Sequence, residues 1–120
     1  MIKEAYCSFE VAKLLKEKGF NEPCRAVYEE EILRINTLCD YYNSELSSYV
    51  CAPIHQMAMA WLREIYGIDI VIEISDPSVK DRKYYCVIWN KNNDSYILDL
   101  FGSYEEAVEA ALKYSLENLI

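Results

Sequence analysis

The chain has 120 residues, 52% of them hydrophobic and 27% charged, and a formal net charge of −8. Three Gly and three Pro exclude collagen-like and Pro/Gly-rich disordered chains, and the apolar content is too high for intrinsic disorder. No apolar run approaches the roughly 18 residues that a membrane helix requires. The opening Met-Ile-Lys-Glu-Ala-Tyr-Cys has neither a signal-peptide nor a transit-peptide pattern. The expectation is a single soluble, cytoplasmic domain over residues 1–120 with no membrane contact.

Twelve Lys and Arg stand against twenty Asp and Glu. Nucleic-acid affinity comes largely from cations that neutralise phosphates, so a field of this sign argues against direct nucleic-acid binding. The one basic cluster, Lys80, Arg82 and Lys83, is diluted by Asp76 and Asp81 and reads as a solvated turn. An acidic surface leaves room for a basic protein partner, or for mimicry of a nucleic acid's charge. The five cysteines are odd in number and include no CxxC pair. Neither a zinc ribbon nor a thioredoxin-type motif is present, and reduced, partly buried thiols are expected rather than a disulfide framework.

In chain order, Ser8 can cap a first helix at about 8–18. Its stripe is Phe9, Val11, Ala12 and Leu15, and Gly19 ends it. Residues 24–38 suit either one helix or two short strands around Glu29-Glu30-Glu31. The β-branched content and the alternation at Ile32 and Arg34 favour the hairpin, at about 25–36. Asn36 to Val50, without Gly or Pro but rich in Asn, Asp and Ser, reads as a surface loop.

A second helix is expected at about 53–66, with Pro53 in its first turn. Ile54, Met57, Ala58, Trp61, Leu62 and Ile65 then recur at spacings of three and four. After Gly67 the period changes to two. Ile68, Ile70, Ile72 and Ile74 mark one buried face of a strand at 68–75. Strands at 83–90 and 95–101 follow, joined by an Asn-rich turn, and complete an antiparallel meander. Ser103 and Glu106 form a capping box for a last helix at 103–119. The fold class is α+β: a three-stranded meander, extended by the 25–36 hairpin, packed against three helices.

Chemistry-bearing motifs are few. Cys51 and His55 have the spacing of a thiol–imidazole couple if the second helix begins beside Cys51, because a helix N-terminus favours a thiolate. Catalysis also needs an orienting group and an oxyanion site, which the sequence does not place. With one histidine and no paired cysteines, no metal site is expected. No cofactor is expected either, since dinucleotide, P-loop and hydrolase-elbow motifs are missing. Eleven Tyr and two Trp are more than a core of this size needs. Tyr84, Tyr85, Trp89 and Tyr96 are the residues expected to form a contact surface, since aromatic side chains dominate binding hot spots.

The segments SFEVAKLLKEKGFNEPC, Ala52-Pro53 with Gln56-Met57-Ala58-Met59-Ala60-Trp61-Leu62-Arg63-Glu64, and Ser103-Tyr104-Glu105-Glu106-Ala107 resemble, as an ordered set, a group of short proteins of gut Bacteroidetes and their phages and mobile elements. Residues 29–50 depart from that group. The resemblance implies an accessory protein of a phage or mobile element and carries over no activity and no site residue. Three readings follow. The first is a non-enzymatic protein that acts by protein–protein contact, with a homodimer as its simplest form. The second is an acidic mimic of nucleic acid that blocks a basic protein. The third is a small thiol enzyme using Cys51 and His55.

Overall fold

The computed structural model describes residues 2–120, which divide into two units at the boundary between Ala58 and Met59. In the first, α1 (Phe9–Glu17) is capped by Ser8, whose hydroxyl accepts from the Val11 amide at 3.2 Å. Gly19, at φ +93, turns the chain in the left-handed region, and the Phe20 amide reaches back to the Leu15 carbonyl at 2.9 Å. Phe20 is buried.

The ambiguous segment resolves as a hairpin. Strands β1 (Ala26–Glu29) and β2 (Ile32–Ile35) pair antiparallel, and Glu30 takes a positive φ at the turn. The hairpin does not extend the meander, however. It pairs through β1 with a two-residue strand, β3 (Val50–Cys51), to give a separate sheet of order β2-β1-β3. Ala26, Tyr28, Val50 and Ala52 form a core with Ala12 of α1, flanked by Tyr6, Phe9 and Leu33. Phe9 meets Tyr28 edge to face at 5.6 Å.

The stretch expected to be a surface loop is held at several points. Asn43, in a 3-10 turn (Asn43–Glu45), is buried. Its amide nitrogen donates to the Phe20 carbonyl and its amide oxygen accepts from the Cys51 backbone N–H, each at 2.9 Å. Lys16 donates to the carbonyls of Leu46 and Tyr49 at 3.0 and 2.8 Å. Arg25 pairs with Asp40 at 2.7 Å and also donates to the Thr37 carbonyl.

The division between the units falls inside α2 (His55–Tyr66). This helix starts two residues later than its pattern suggests. The Pro53 carbonyl instead accepts from the Cys7 amide at 2.9 Å, and the His55 amide donates to the Ala5 carbonyl at 2.8 Å. Ala58, Trp61 and Leu62 are buried as expected, but Ile65 is 59% exposed. The apolar stripe is therefore narrower than its sequence spacing implies. Among the described residues no helix is long and apolar enough to cross a membrane.

The second unit holds the meander. Strands β4 (Asp69–Ile74), β5 (Tyr84–Trp89) and β6 (Ser95–Phe101) pair antiparallel in chain order. Gly67 takes φ +66 before β4, and a Cβ there would meet Lys91 Cβ at 3.1 Å. Between β5 and β6, Asn90 Oδ1 accepts from the amides of Asn92 and Asp94, and Asn93 takes a positive φ. α3 (Tyr104–Asn118) follows. Ser103 accepts from the Glu106 amide at 3.1 Å, while the Glu106 carboxylate accepts from the Gly102 amide at 3.2 Å. The last helix turns Ala107, Val108, Ala111, Leu112 and Leu116 inward.

Candidate functional sites: an open sheet face and a thiol pair

Period-two alternation sorts each strand of the meander into two faces. Ile70, Ile88 and Tyr96 align across the three strands, as do Ile72, Cys86 and Leu98. Tyr96 contacts Tyr114 of α3 at 5.6 Å, and Tyr84 meets Tyr104 edge to face at 6.2 Å, so these rows belong to the helix side. Cys86 is fully buried there, and burial pushes its thiol pKa up. A bulge between Leu98 and Phe101 adds one residue to β6. It leaves Leu98 and Phe101 half-buried, with Asp99 and Leu100 exposed.

The opposite rows are Val71, Val87 and Ile97, and Asp69, Trp89 and Ser95, with Glu73 aligned to Tyr85. Val71 is 40% exposed, Trp89 41% and Ile97 64%. An apolar stripe thus crosses all three strands on the side away from α3. Carboxylates at Asp69 and Glu73 border it along β4 and no strand residue on this face is basic, while at the β6 edge Ile97 and Asp99 also border a cavity of about 470 Å³ shared with Lys113 and Tyr114 of α3. Of the four aromatic residues expected to form one contact surface, Tyr85 and Trp89 lie here. Tyr84 and Tyr96 lie on the other side, against α3. The stripe's aliphatic members, Val71, Val87 and Ile97, were not singled out by sequence reasoning.

The first unit gathers thiols. No disulfide forms among the described residues: Cys7, Cys24, Cys51 and Cys86 are buried thiols, whereas Cys39 is exposed. Cys51 does not sit at the start of α2. It ends β3, level with Val27 of β1, and its backbone N–H is held by Asn43. Interaction with the Cys24 thiol, helped by the ammonium of Lys16, pulls the Cys51 pKa down. Interaction with Cys51, together with burial, pushes that of Cys24 well up. Cys24 is fixed by mutual backbone bonds with Tyr41, at 2.9 and 2.7 Å, and its sulfur lies 3.6 Å from the Glu22 carbonyl oxygen.

His55, expected as the imidazole partner of Cys51 at the start of the second helix, is buried, and a ring nitrogen lies within 4.8 Å of the Cys7 sulfur. The Cys7 carbonyl accepts from the Tyr28 hydroxyl at 2.7 Å. A cavity of about 140 Å³ opens onto Cys24, bordered by Glu4, Tyr6, Arg25, Pro53 and Met57.

Comparison of the chain with protein-family models, with curated proteins and with solved structures finds no match.

Proposed function

We propose that the protein is a non-enzymatic contact module that binds another protein through the face of the β4-β5-β6 sheet away from α3. The observation that carries this reading is the row Val71–Val87–Ile97, with Val71 and Ile97 exposed and Val87 half-buried between them, flanked by exposed Trp89 and half-buried Tyr85. Fully burying such a side chain from water is worth about 1.5–3 kcal/mol, so covering these part-exposed ones gains a fraction of that each, and an exposed apolar stripe bordered by polar groups is the usual form of an interaction site. Charge suggests the partner. Asp69, Glu73 and Asp99 border the stripe and the chain carries −8 overall, so the complementary surface is an apolar ridge flanked by Lys and Arg. Two copies stacked on this face would bring like charges together. A contact role of this kind suits the accessory protein of a phage or mobile element that the sequence resemblance implies.

The test is affinity capture from the native host with three proteins: wild type, Ile97→Asp and Ile65→Asp. Ile65 is equally exposed but lies on α2. The reading predicts a basic partner retained by wild type and by Ile65→Asp, and lost with Ile97→Asp. Self-association of wild type that Ile97→Asp abolishes would replace the foreign partner by a second copy. Retention unaffected by Ile97→Asp and collapsing with moderate salt would move the site off this face, towards charge mimicry.

A further inference from the structure

We propose that the basic partner docks by adding an extended segment to β6, as a fourth strand of the meander. The inference rests on the sheet-face reading for the existence of that partner and adds how it is held. β6 lies at the edge of the sheet, beyond β5. The hairpin between them closes with the Asn90 amide donating to the Asp94 carbonyl and the Asn93 amide to the Asn90 carbonyl, each at 3.0 Å. Asn90 and Asp94 therefore face each other through backbone groups. Bonded and non-bonded pairs alternate along an antiparallel ladder, so Ile88–Tyr96 is a bonded pair, whereas Trp89–Ser95 and Val87–Ile97 are not. Ser95 and Ile97 consequently turn their N–H and C=O groups away from β5, towards the open edge. Among the described residues no group bonds to them there. Ile97 is 64% exposed, and Ser95 is exposed too. Such a row is a template for another strand, which proteins often blunt with proline or lysine. β6, SYILDLF, has neither.

The groove beside this edge selects the kind of segment. The cavity of about 470 Å³ runs between β6 and α3. Leu98 and Phe101 line it from the strand, and Ala110 and Tyr114 from the helix, so it receives apolar side chains. In an extended chain every second residue points the same way, and backbone pairing with β6 would aim one such set into the groove. The acids of the groove, Asp99 and Glu117, outnumber its one cation, Lys113. Lys or Arg between the apolar residues then meets opposite charge, as it does along the sheet face. The bulge after Leu98 ends the regular ladder, so the added strand is short and centred on Ser95 to Leu98. The occupant is thus a short extended segment of a partner protein in which apolar and basic residues alternate.

The experiment titrates the full wild-type chain with the peptide acetyl-Lys-Val-Lys-Val-Lys-Val-Lys-amide and follows single amides by hydrogen exchange in NMR. Two control peptides accompany it: one with every backbone amide N-methylated, and one with Glu in place of Lys. The expected result is saturable binding that slows exchange of the Ser95 and Ile97 amides by about tenfold or more and leaves Tyr96, already bonded to β5, nearly unchanged. The N-methylated peptide does not bind, and the Glu peptide binds at least about tenfold more weakly. Three results overturn the proposal: no saturable binding, equal binding of the N-methylated peptide, or saturation with the Ser95 and Ile97 amides exchanging as before. Slowing of those two amides as the chain alone is concentrated makes the occupant a second copy, and overturns the foreign segment. A peptide that fails while Ile97→Asp still abolishes capture removes the edge pairing and leaves the sheet-face reading. Peptide binding with capture indifferent to Ile97→Asp supports the edge and removes that reading.

Discussion

Val87 of the central strand β5 and Ile97 of the edge strand β6 are register partners on the face of the sheet opposite the Ile70–Ile88–Tyr96 row. Val71 extends the row across β4. An antiparallel sheet with one face on a helix usually presents polar side chains on the other. Here three aliphatic residues in line, with Trp89 and Tyr85 beside them, break that alternation, which is why the face rather than a cleft carries the functional reading.

The Asn43 amide joins three segments: the end of α1 through Phe20, the 3-10 turn it belongs to, and β3 through Cys51. Asn43→Ala removes both bonds and leaves a buried carbonyl and a buried N–H without their partner. The expected loss is about 2–4 kcal/mol, from the cost of two unsatisfied buried groups, read as a lower urea midpoint. Asn43→Asp keeps an acceptor for the Cys51 N–H but turns a carboxylate oxygen towards the Phe20 carbonyl, so it does not restore stability. An unchanged midpoint for Asn43→Ala would mean that the loop is held by its other tethers alone.

Leu62 and Ile65 share a sequence stripe and differ in burial: Leu62 is fully buried, whereas Ile65 is 59% exposed. Leu62→Ala is expected to cost about 2–5 kcal/mol, through lost burial and the cavity left behind. Ile65→Lys is expected to stay within about 0.5 kcal/mol of wild type. Thermal or chemical unfolding of the two variants checks the difference. Comparable losses would show that Ile65 is covered.

Much of the fold was legible because it rests on repeating patterns. The Ile70–Ile72–Ile74 alternation, the Ser8 and Ser103 caps and the left-handed glycines at 19 and 67 each impose a local geometry that the chain adopts. β3 was not legible, because a two-residue strand has no period; it exists through pairing with β1. The order of the 36–49 loop rests on Asn43 and Lys16, whose partners are distant in sequence and leave no local signature. The start of α2 at His55 rather than Pro53 follows from backbone bonds to Ala5 and Cys7, again outside the reach of local pattern. For the aromatic residues the signal was present. Tyr84 and Tyr85 are adjacent on one strand, so they had to point to opposite faces, and a single surface could hold only one of them.

The most direct test replaces Ile97 and Trp89, one at a time, with a photo-crosslinking amino acid in the native host, and Ile35 of β2 as the exposed control. The account predicts one discrete adduct, of the same mass from positions 97 and 89, and none from position 35. Absence of an adduct at 97 and 89, or the same adduct from 35, would contradict it.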